Sequence, residues 1–320
     1  MSRHIAVIDI GTNTCVALAC AVADDGTARV ILDRTRITGL GRGAGSDGTL
    51  AETSISNTLD GLGAALEDCA CASVSPKDIL VTGTAALRRA PNRDAFLLQA
   101  KTTHQVDVEI IDGLTEARCS ALAVMITLPN ARHARLIDIG GGSTEVVDIS
   151  AGVITSSQSV PIGSVRLTEE YLDGDPPSLT QREAAAATIA QRFAEFPPLA
   201  PGQKMIGVGG TATTALALAL EMTTYDPSVV HGTLLPTQRL TEIWGTVTPL
   251  SIQERTALPG LSAKRAPVIG GGLTILNGAA VAFGANEIVI SDSGLRHGVA
   301  AERFQIQTYS LLFPVTAPQS

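Results

Sequence analysis

Two short turns in the sequence combine glycine with hydroxyl and amide side chains, a composition suited to holding phosphate. They are Gly11-Thr12-Asn13-Thr14, the first turn, and Gly140-Gly141-Gly142-Ser143-Thr144, the second turn. Glycine lets the backbone approach an anion closely, and a tight turn directs successive N–H groups into one concavity. The hydroxyls of Thr12, Ser143 and Thr144 and the amide of Asn13 add hydrogen-bond donors. A single turn of this kind would be better explained as an ordinary β-turn.

The sequence repeats itself around these turns. Ile-Asp-Ile-Gly occurs at 8–11 and again at 137–140, each time at the end of an apolar run and ahead of a second one. Apolar runs rich in β-formers on either side of a turn predict a strand–turn–strand hairpin. Because both copies also place an aspartate at the strand end, the repetition favours two phosphate sites over two unrelated β-turns.

Acidic side chains beside phosphate-binding turns suggest a divalent cation. Mg²⁺ is held by one or two carboxylates together with water and phosphate oxygens. Asp9 and Asp138 are therefore candidate metal ligands. Glu145 could approach the same place from across the second turn, but the sequence also allows it to cap a turn or to face solvent.

Hydrolysis needs a group that orients and deprotonates water, and a carboxylate can do this. Glu116 is the candidate, at a predicted strand-to-helix transition. From spacing alone, an ordinary acidic residue in the first turn of a helix explains it better. Arg88 could bind phosphate through its guanidinium, but by itself it is better explained as a solvated surface residue, and Arg166 has the same ambiguity.

A glycine-rich segment at 207–212 fits the pattern GxGxxA superficially. A dinucleotide-binding fingerprint needs an acidic residue about 20 positions later, after the following strand. Glu221 is too near and lies in the same predicted helix. A Rossmann-type dinucleotide site is therefore not favoured.

The predicted elements alternate between strand and helix, which indicates an α/β fold with covered sheets. Apolar residues at helical spacing predict a helix over 53–68. A capping box of Thr180 and Glu183 predicts the start of a second helix, and Gly270 is predicted to open a third. A second hairpin begins at Leu136, so the domain boundary is expected just before it.

The composition excludes several classes of protein. Hydrophobic residues make up 45% of the chain and the net charge is −8, whereas a nucleic-acid-binding protein usually carries a basic stripe. The five cysteines fit neither a disulfide framework nor a zinc site. Asp9 interrupts the first apolar run too early for a signal peptide, and no apolar stretch is long enough to span a membrane. We expect a cytoplasmic protein with no membrane or nucleic-acid partner.

The motifs resemble those of the exopolyphosphatase/guanosine pentaphosphate phosphohydrolase family, within the superfamily of actin, heat-shock chaperones and sugar kinases. The segments that carry the resemblance are Ile8–Thr14, Thr84–Arg88, Gly113–Arg118, Asp138–Glu145, Gly163–Arg166, Gly209–Thr211 and Asp292–Gly298. The resemblance implies two ribonuclease-H-like domains, with mixed sheets flanked by helices, around an interdomain cleft. We place these domains at 1–128 and 129–305, followed by a tail at 306–320.

The resemblance also implies roles for single residues. Glu116 would be the catalytic base, and Asp138 and Glu145 would bind the metal, with Asp9 as a further candidate. The predicted phosphate-binding residues are Gly11, Thr12, Asn13, Arg88, Gly140, Gly141, Gly142, Ser143, Thr144, Gly209, Gly210 and Thr211. The sequence departs from many relatives at Leu114 and Thr115, where they carry acidic residues. It also lacks the His-Asp motif found in the carboxy-terminal region of longer relatives.

The resemblance predicts a hydrolase, a Mg²⁺-dependent exopolyphosphatase that releases orthophosphate from inorganic polyphosphate. Mn²⁺ is the alternative divalent ion, and a monovalent cation is an additional candidate cofactor. The alternative activity is that of a guanosine pentaphosphate phosphohydrolase. A sugar kinase or ATPase of the same superfamily, and a non-catalytic polyphosphate or nucleotide sensor, are less favoured. The sequence is compatible with a homodimer and with a monomer.

Overall fold

The computed structural model describes residues 2–44, 47–128 and 130–310. They form two compact units. The first unit contains the described residues up to Thr127 and those from Gly294 onward, and the second unit contains the described residues of Leu128–Ser293. Each unit has one six-stranded mixed sheet flanked by helices, so the predicted fold class is confirmed.

The first unit begins with a three-stranded antiparallel meander and continues with alternating helices and strands. Its elements up to Thr127 are β1 (Arg3–Ile10), β2 (Thr14–Val22), β3 (Thr27–Ile37), α1 (Glu52–Cys71), β4 (Ile79–Gly83), α2 (Ala85–Arg89), α3 (Arg93–His104), β5 (Val108–Ile110) and α4 (Gly113–Thr127). The predicted hairpin around the first turn and the predicted helix at 53–68 are confirmed.

The second unit starts in the same way, with a three-stranded meander. Its elements are β6 (Ala134–Ile139), β7 (Thr144–Ser150), β8 (Val153–Val160), α5 (Ser164–Tyr171), α6 (Leu179–Phe193), β9 (Lys204–Val208), α7 (Gly209–Ala219), α8 (Pro227–Val230), β10 (Leu234–Pro236), α9 (Thr237–Val247), α10 (Ile252–Thr256), α11 (Ala266–Phe283) and β11 (Glu287–Ser291). The chain then returns to the first unit with α12 (Leu295–Phe304) and β12 (Thr308–Ser310).

The two sheets repeat one arrangement. The first has the strand order β12-β3-β2-β1-β4-β5 and the second β8-β7-β6-β9-β11-β10. In both, the first strand of the meander has a parallel neighbour, β4 beside β1 and β9 beside β6. Because the carboxyl ends of parallel strands meet at one edge of a sheet, the segments that follow these strands come together there. The sequence repeat thus corresponds to a repeated topology.

Strand β1 is buried on both faces, which explains its continuous apolar run. Successive side chains of a strand point to opposite faces. Ile5 belongs to the core cluster that includes Val299 of α12, whereas Ile8 belongs to the cluster that includes Leu62 of α1. Burial on both faces fixes the strand register, and with it the position of the first turn at the end of β1.

The predicted domain division needs one correction, for residues 294–305. They were placed in the second domain, but α12 packs against α4 and β1 of the first unit. Arg296 fixes this position through hydrogen bonds to both carboxylate oxygens of Asp33, from Nε at 2.9 Å and from Nη2 at 2.7 Å. Thr308 of the predicted tail pairs with Thr27 in a parallel strand. The rest of that tail, 311–320, lies outside the described residues.

Two predicted helix starts in the second unit were wrong. The capping box of α6 is formed by Ser178 and Gln181, not by Thr180 and Glu183. Ser178 directly follows a proline pair, and a proline restricts the preceding residue to extended conformations. This restriction applies to Asp175 and Pro176 and keeps the helix from starting before Pro177. The cap on Ser178 then starts α6 at Leu179, two residues earlier than predicted.

Helix α11 begins at Ala266 and not at Gly270. Its glycines lie inside the helix and permit close packing, since a Cβ at Gly271 would lie 2.5 Å from Oγ1 of Thr168 in α5. By length and composition α11 is the one described helix that could span a membrane, but 78% of it is buried within the protein. The core helix of a water-soluble protein has the same properties, so this is a weak indication of a membrane span.

Candidate active site

The first turn is closed by a hydrogen bond from the N–H of Gly11 to the carbonyl oxygen of Thr14, at 2.8 Å. Thr12 and Asn13 between them are buried. The carbonyl oxygen of Thr12 accepts a hydrogen bond from the N–H of Gly41 at 2.8 Å. In a planar trans peptide the following N–H points the opposite way. The N–H of Asn13 is thus directed away from the segment after β3, as an anion-binding turn requires.

The second turn has the same construction, since the N–H of Gly140 donates to the carbonyl oxygen of Ser143 at 3.0 Å. The beginning of α5 lies against it. The carbonyl oxygen of Gly140 accepts from the N–H of Ser164 at 2.9 Å, and that of Gly141 accepts from the next N–H of α5 at 3.0 Å. The N–H groups of Gly141 and Gly142 are therefore directed away from α5. Two adjacent N–H groups with this orientation suit an anion.

Helix α5 approaches the second turn closely because residue 163 is a glycine. A Cβ at this position would lie 2.5 Å from the carbonyl oxygen of Gly141 and 2.5 Å from the nitrogen of Gly142. Gly163 has φ −141° and ψ 175°, a conformation that any residue adopts. The second turn can therefore take its position because residue 163 has no side chain, and not because glycine has a more flexible backbone.

The hydroxyl of Thr144 has a partner within the second unit. Thr144 is completely buried, and its Oγ1 donates to the carbonyl oxygen of Ile162 at 2.6 Å. The single hydroxyl hydrogen thus connects β7 to the segment before α5, and phosphate binding by Thr144 stays a prediction. Ser143, which is also buried, stays a predicted phosphate ligand.

Glu116 and Arg88 form a pair in the first unit. Glu116 lies in the first turn of α4 with 8% of its surface exposed. Its Oε2 accepts a hydrogen bond from Nη1 of Arg88 at 3.1 Å, and the same Nη1 donates to the carbonyl oxygen of Ile111 at 2.9 Å. The two residues meet because α2 and α4 follow β4 and β5, which are parallel neighbours and end at one edge of the sheet. Residue spacing alone did not show this pair.

Asp112 fixes the helix turn that carries Glu116. It directly precedes α4, and its Oδ1 accepts a hydrogen bond from the N–H of Thr115 at 2.7 Å, the arrangement of a helix N-cap. This hydrogen bond holds the pKa of Asp112 below its ordinary value. This cap was not among the features predicted from the sequence.

We expect Asp112→Ala to lower the free energy of unfolding by about 0.5–1 kcal/mol at neutral pH, the lower part of the range for N-cap removal. The pKa of Asp112 is lower in the folded than in the unfolded state. The stabilisation that its carboxylate gives is therefore present above the unfolded-state pKa of about 3.9 and is lost as the pH falls through the folded-state pKa. Denaturant unfolding of both proteins at neutral and acidic pH tests this. If the two proteins differed by the same free energy of unfolding at pH ~2 as at neutral pH, the prediction would be contradicted.

Asp138 and Glu145 lie directly opposite each other on β6 and β7, so their side chains share one face of the sheet. Glu145 is 1% exposed, and its Oε1 accepts a hydrogen bond from Oγ of Ser159 at 2.7 Å. The alternative in which Glu145 faces solvent was therefore wrong. Like charges directly opposite on a sheet repel each other, and a bound cation would relieve this repulsion.

The carboxylates of Asp138 and Glu145 fit Mg²⁺, because such sites use one or two carboxylates and complete the coordination with water and phosphate oxygens. Across residues 2–44, 47–128 and 130–310, no group of three or more His, Cys, Asp or Glu side chains forms a ready metal site. Asp9, the third predicted ligand, belongs to the first unit, where its Oδ1 accepts a hydrogen bond from Oγ1 of Thr82 at 3.2 Å.

Gly209, Gly210 and Thr211 open α7 directly after β9, whose last residue pairs with Asp138. Gly209 has φ +84°, and a Cβ there would lie 2.8 Å from Oδ1 of Asp138, so this position requires glycine. A Cβ at Gly210 would overlap the guanidinium of Arg265. A helix N-terminus beside a guanidinium suits an anion. Arg265 was not predicted from the sequence, because a single arginine before an apolar helix does not indicate a binding site.

Comparisons with known proteins find relatives in sequence and in structure. The sequence model of the Ppx/GppA phosphatase family matches residues 20–305. The chain is 31% identical to Exopolyphosphatase 2 of Mycobacterium tuberculosis over 316 residues, which cover 93% of this chain and 97% of that protein. It is 29% identical to a guanosine-5'-triphosphate,3'-diphosphate pyrophosphatase of Aeromonas hydrophila over 225 residues, 69% of this chain and 44% of that protein. The crystal structure of the Aquifex aeolicus Ppx/GppA family member has a TM-score of 0.78 and 30% identity, and the match covers 95% of this chain and 98% of that one.

Proposed function

Because this chain belongs to the Ppx/GppA phosphatase family, we propose that it is an exopolyphosphatase, which hydrolyses terminal phosphoanhydride bonds of inorganic polyphosphate and releases orthophosphate. The observation that carries the proposal is the buried Glu116 held by Arg88 at the sheet edge. The similarity to an exopolyphosphatase over nearly its whole length supports the choice of substrate.

The groups in each unit have the chemistry that this reaction needs. Phosphoryl transfer to water depends on positioning and on stabilisation of charge on the phosphate oxygens. Glu116 would accept the proton of the attacking water, and Arg88 would bind a phosphate oxygen. In the second unit the N–H groups of Gly141 and Gly142 would donate to phosphate oxygens and stabilise the developing charge.

We further propose that Asp138 and Glu145 hold the divalent cation, Mg²⁺ or in its place Mn²⁺. The ion would neutralise phosphate charge. Asp138 and Glu145 lie directly opposite each other on neighbouring strands, and this pairing of two carboxylates supports the proposed position of the ion. The monovalent cation, the cytoplasmic location and the homodimer stay predictions from sequence.

The second candidate function is hydrolysis of guanosine pentaphosphate. It is favoured by the similarity to the Aeromonas hydrophila enzyme, although this chain covers only 44% of that protein. Both substrates end in phosphoanhydride bonds, so the same catalytic groups would serve either one.

Release of orthophosphate from long-chain polyphosphate, guanosine pentaphosphate and ATP, at equal enzyme concentration, tests the proposal. We expect polyphosphate to be the best substrate, and we expect chelation of divalent ions to abolish release and added Mg²⁺ to restore it. Faster release from guanosine pentaphosphate would favour the second function, and turnover of ATP alone would indicate an ATPase. Tight polyphosphate binding without release would indicate a sensor.

A further inference from the structure

A glycine-rich segment after β3, residues 39–44, lies against the first turn. The N–H of Gly39 donates to the carbonyl oxygen of Asn13 at 3.1 Å, and the N–H of Gly41 donates to that of Thr12 at 2.8 Å. A Cβ at Gly41 would overlap the side chain of Thr12. Segment 39–44 and the first turn therefore form one packed structure, in which the position of one fixes the position of the other.

Arg42 of this segment extends its side chain to the first turn. Its stem passes over Gly39, where a Cβ would lie 2.9 Å from Cδ of Arg42. Nε of Arg42 then donates a hydrogen bond to Oδ1 of Asn13 at 3.1 Å. The backbone of Arg42 is held as well, because its N–H donates to Gly39 at 2.9 Å and its carbonyl oxygen accepts from Oγ of Ser54 at 3.0 Å.

The hydrogen bond between Arg42 and Asn13 has two consequences for an anion at the first turn. It places a permanent positive charge beside a turn that is built to bind phosphate. It also occupies the amide oxygen of Asn13, so that the NH₂ group, which carries two donors, is directed to the other side. Asn13 was predicted from the sequence as a phosphate ligand, and this hydrogen bond gives the reason for the orientation of its amide.

Arg42 and Arg88 lie at different places along the sheet edge. Nη1 of Arg88 is bonded to Ile111, directly after β5, whereas Nε of Arg42 is bonded to Asn13, between β1 and β2. Because β4 lies between β1 and β5, these anchoring points are between two and three strand spacings apart, about 10–14 Å. One phosphate group is too small to contact both.

We propose that Arg42 binds a phosphate group of the polyphosphate chain other than the one attacked beside Glu116, and thereby favours long chains over short ones. This inference rests on the proposed function, because only a substrate with several linked phosphates can reach both arginines. Arg42 is then a substrate-binding residue that raises affinity, and the rate of the hydrolytic step does not depend on it.

Steady-state kinetics of Arg42→Gln with long-chain polyphosphate and with tripolyphosphate tests the inference. Arg29→Gln is the matched control, because Arg29 is an exposed residue of β3 that pairs with Ala21, near the opposite end of that strand from segment 39–44. We expect Arg42→Gln to raise KM for long chains by about 10-fold or more, the effect of losing one charge-assisted hydrogen bond. The expected change in kcat is less than about threefold, the rise in KM for tripolyphosphate is smaller, and Arg29→Gln behaves as wild type.

A direct binding measurement gives a second readout. Calorimetric titration of long-chain polyphosphate into Glu116→Gln, with and without Arg42→Gln, should show a Kd about 10-fold higher for the double variant. Unchanged affinity, or an equal rise in KM for both chain lengths, would overturn the inference. If the wild-type protein released no orthophosphate from any polyphosphate, the proposed function itself would fail, which is a distinguishable result.

Discussion

Replacing Glu116 by glutamine is expected to lower the rate of orthophosphate release by about 10²–10⁴-fold, the usual contribution of a general base. Glutamine has nearly the same shape, and its amide oxygen can still accept the hydrogen bond from Arg88, but it cannot take a proton from water. Substrate binding should be retained, because Glu116 is not predicted to bind phosphate. The measurement is kcat with polyphosphate, together with thermal unfolding to show that the variant is folded.

The control for this variant is Glu67→Gln, which changes the same charge at an exposed position of α1. We expect it to retain wild-type activity. If Glu116→Gln kept more than about a tenth of the wild-type rate, Glu116 would not be the base. The carboxylate that activates water would then have to be sought elsewhere.

The substitution Gly163→Ala is expected to reduce kcat by about 10²-fold, because a misplacement of about 1 Å in a catalytic group has effects of this size. The added methyl group would collide with the backbone of Gly141 and Gly142, at 2.5 Å from the carbonyl oxygen and the nitrogen respectively. Either the second turn or α5 must then move. Since neighbouring backbone atoms cannot rotate away as a side chain can, we expect overpacking also to lower the free energy of unfolding by about 1–3 kcal/mol.

Gly245→Ala is the matched control, because Gly245 lies in α9 of the same unit and a Cβ there meets nothing within 4 Å. Alanine is the better helix former by about 1 kcal/mol, so this variant should be active and no less stable than wild type. Wild-type kcat for a folded Gly163→Ala variant would show that the position of the second turn does not matter for catalysis.

Local sequence patterns predicted the elements that depend on neighbouring residues. The two hairpins followed from apolar runs around a turn, and the structure contains both of them at the repeated Ile-Asp-Ile-Gly segments. Helix starts were less well predicted. Ser178 and Thr180 both fit a capping box, and local sequence did not show which of them caps the helix. The glycines of α11 suggested a helix start, but close packing against α10, α5 and α7 explains Gly270, Gly271 and Gly272 respectively.

The sequence by itself determined the residue types of the two turns, the fold class and the family, because these depend on local composition and on motifs in a fixed order. Only the tertiary structure decided which distant residues meet, such as Arg88 with Glu116 and Arg42 with Asn13. It also decided that α12 belongs to the first unit. The physical reason is that parallel strands bring together segments that are far apart in sequence, and the spacing of residues along the chain carries no record of strand order.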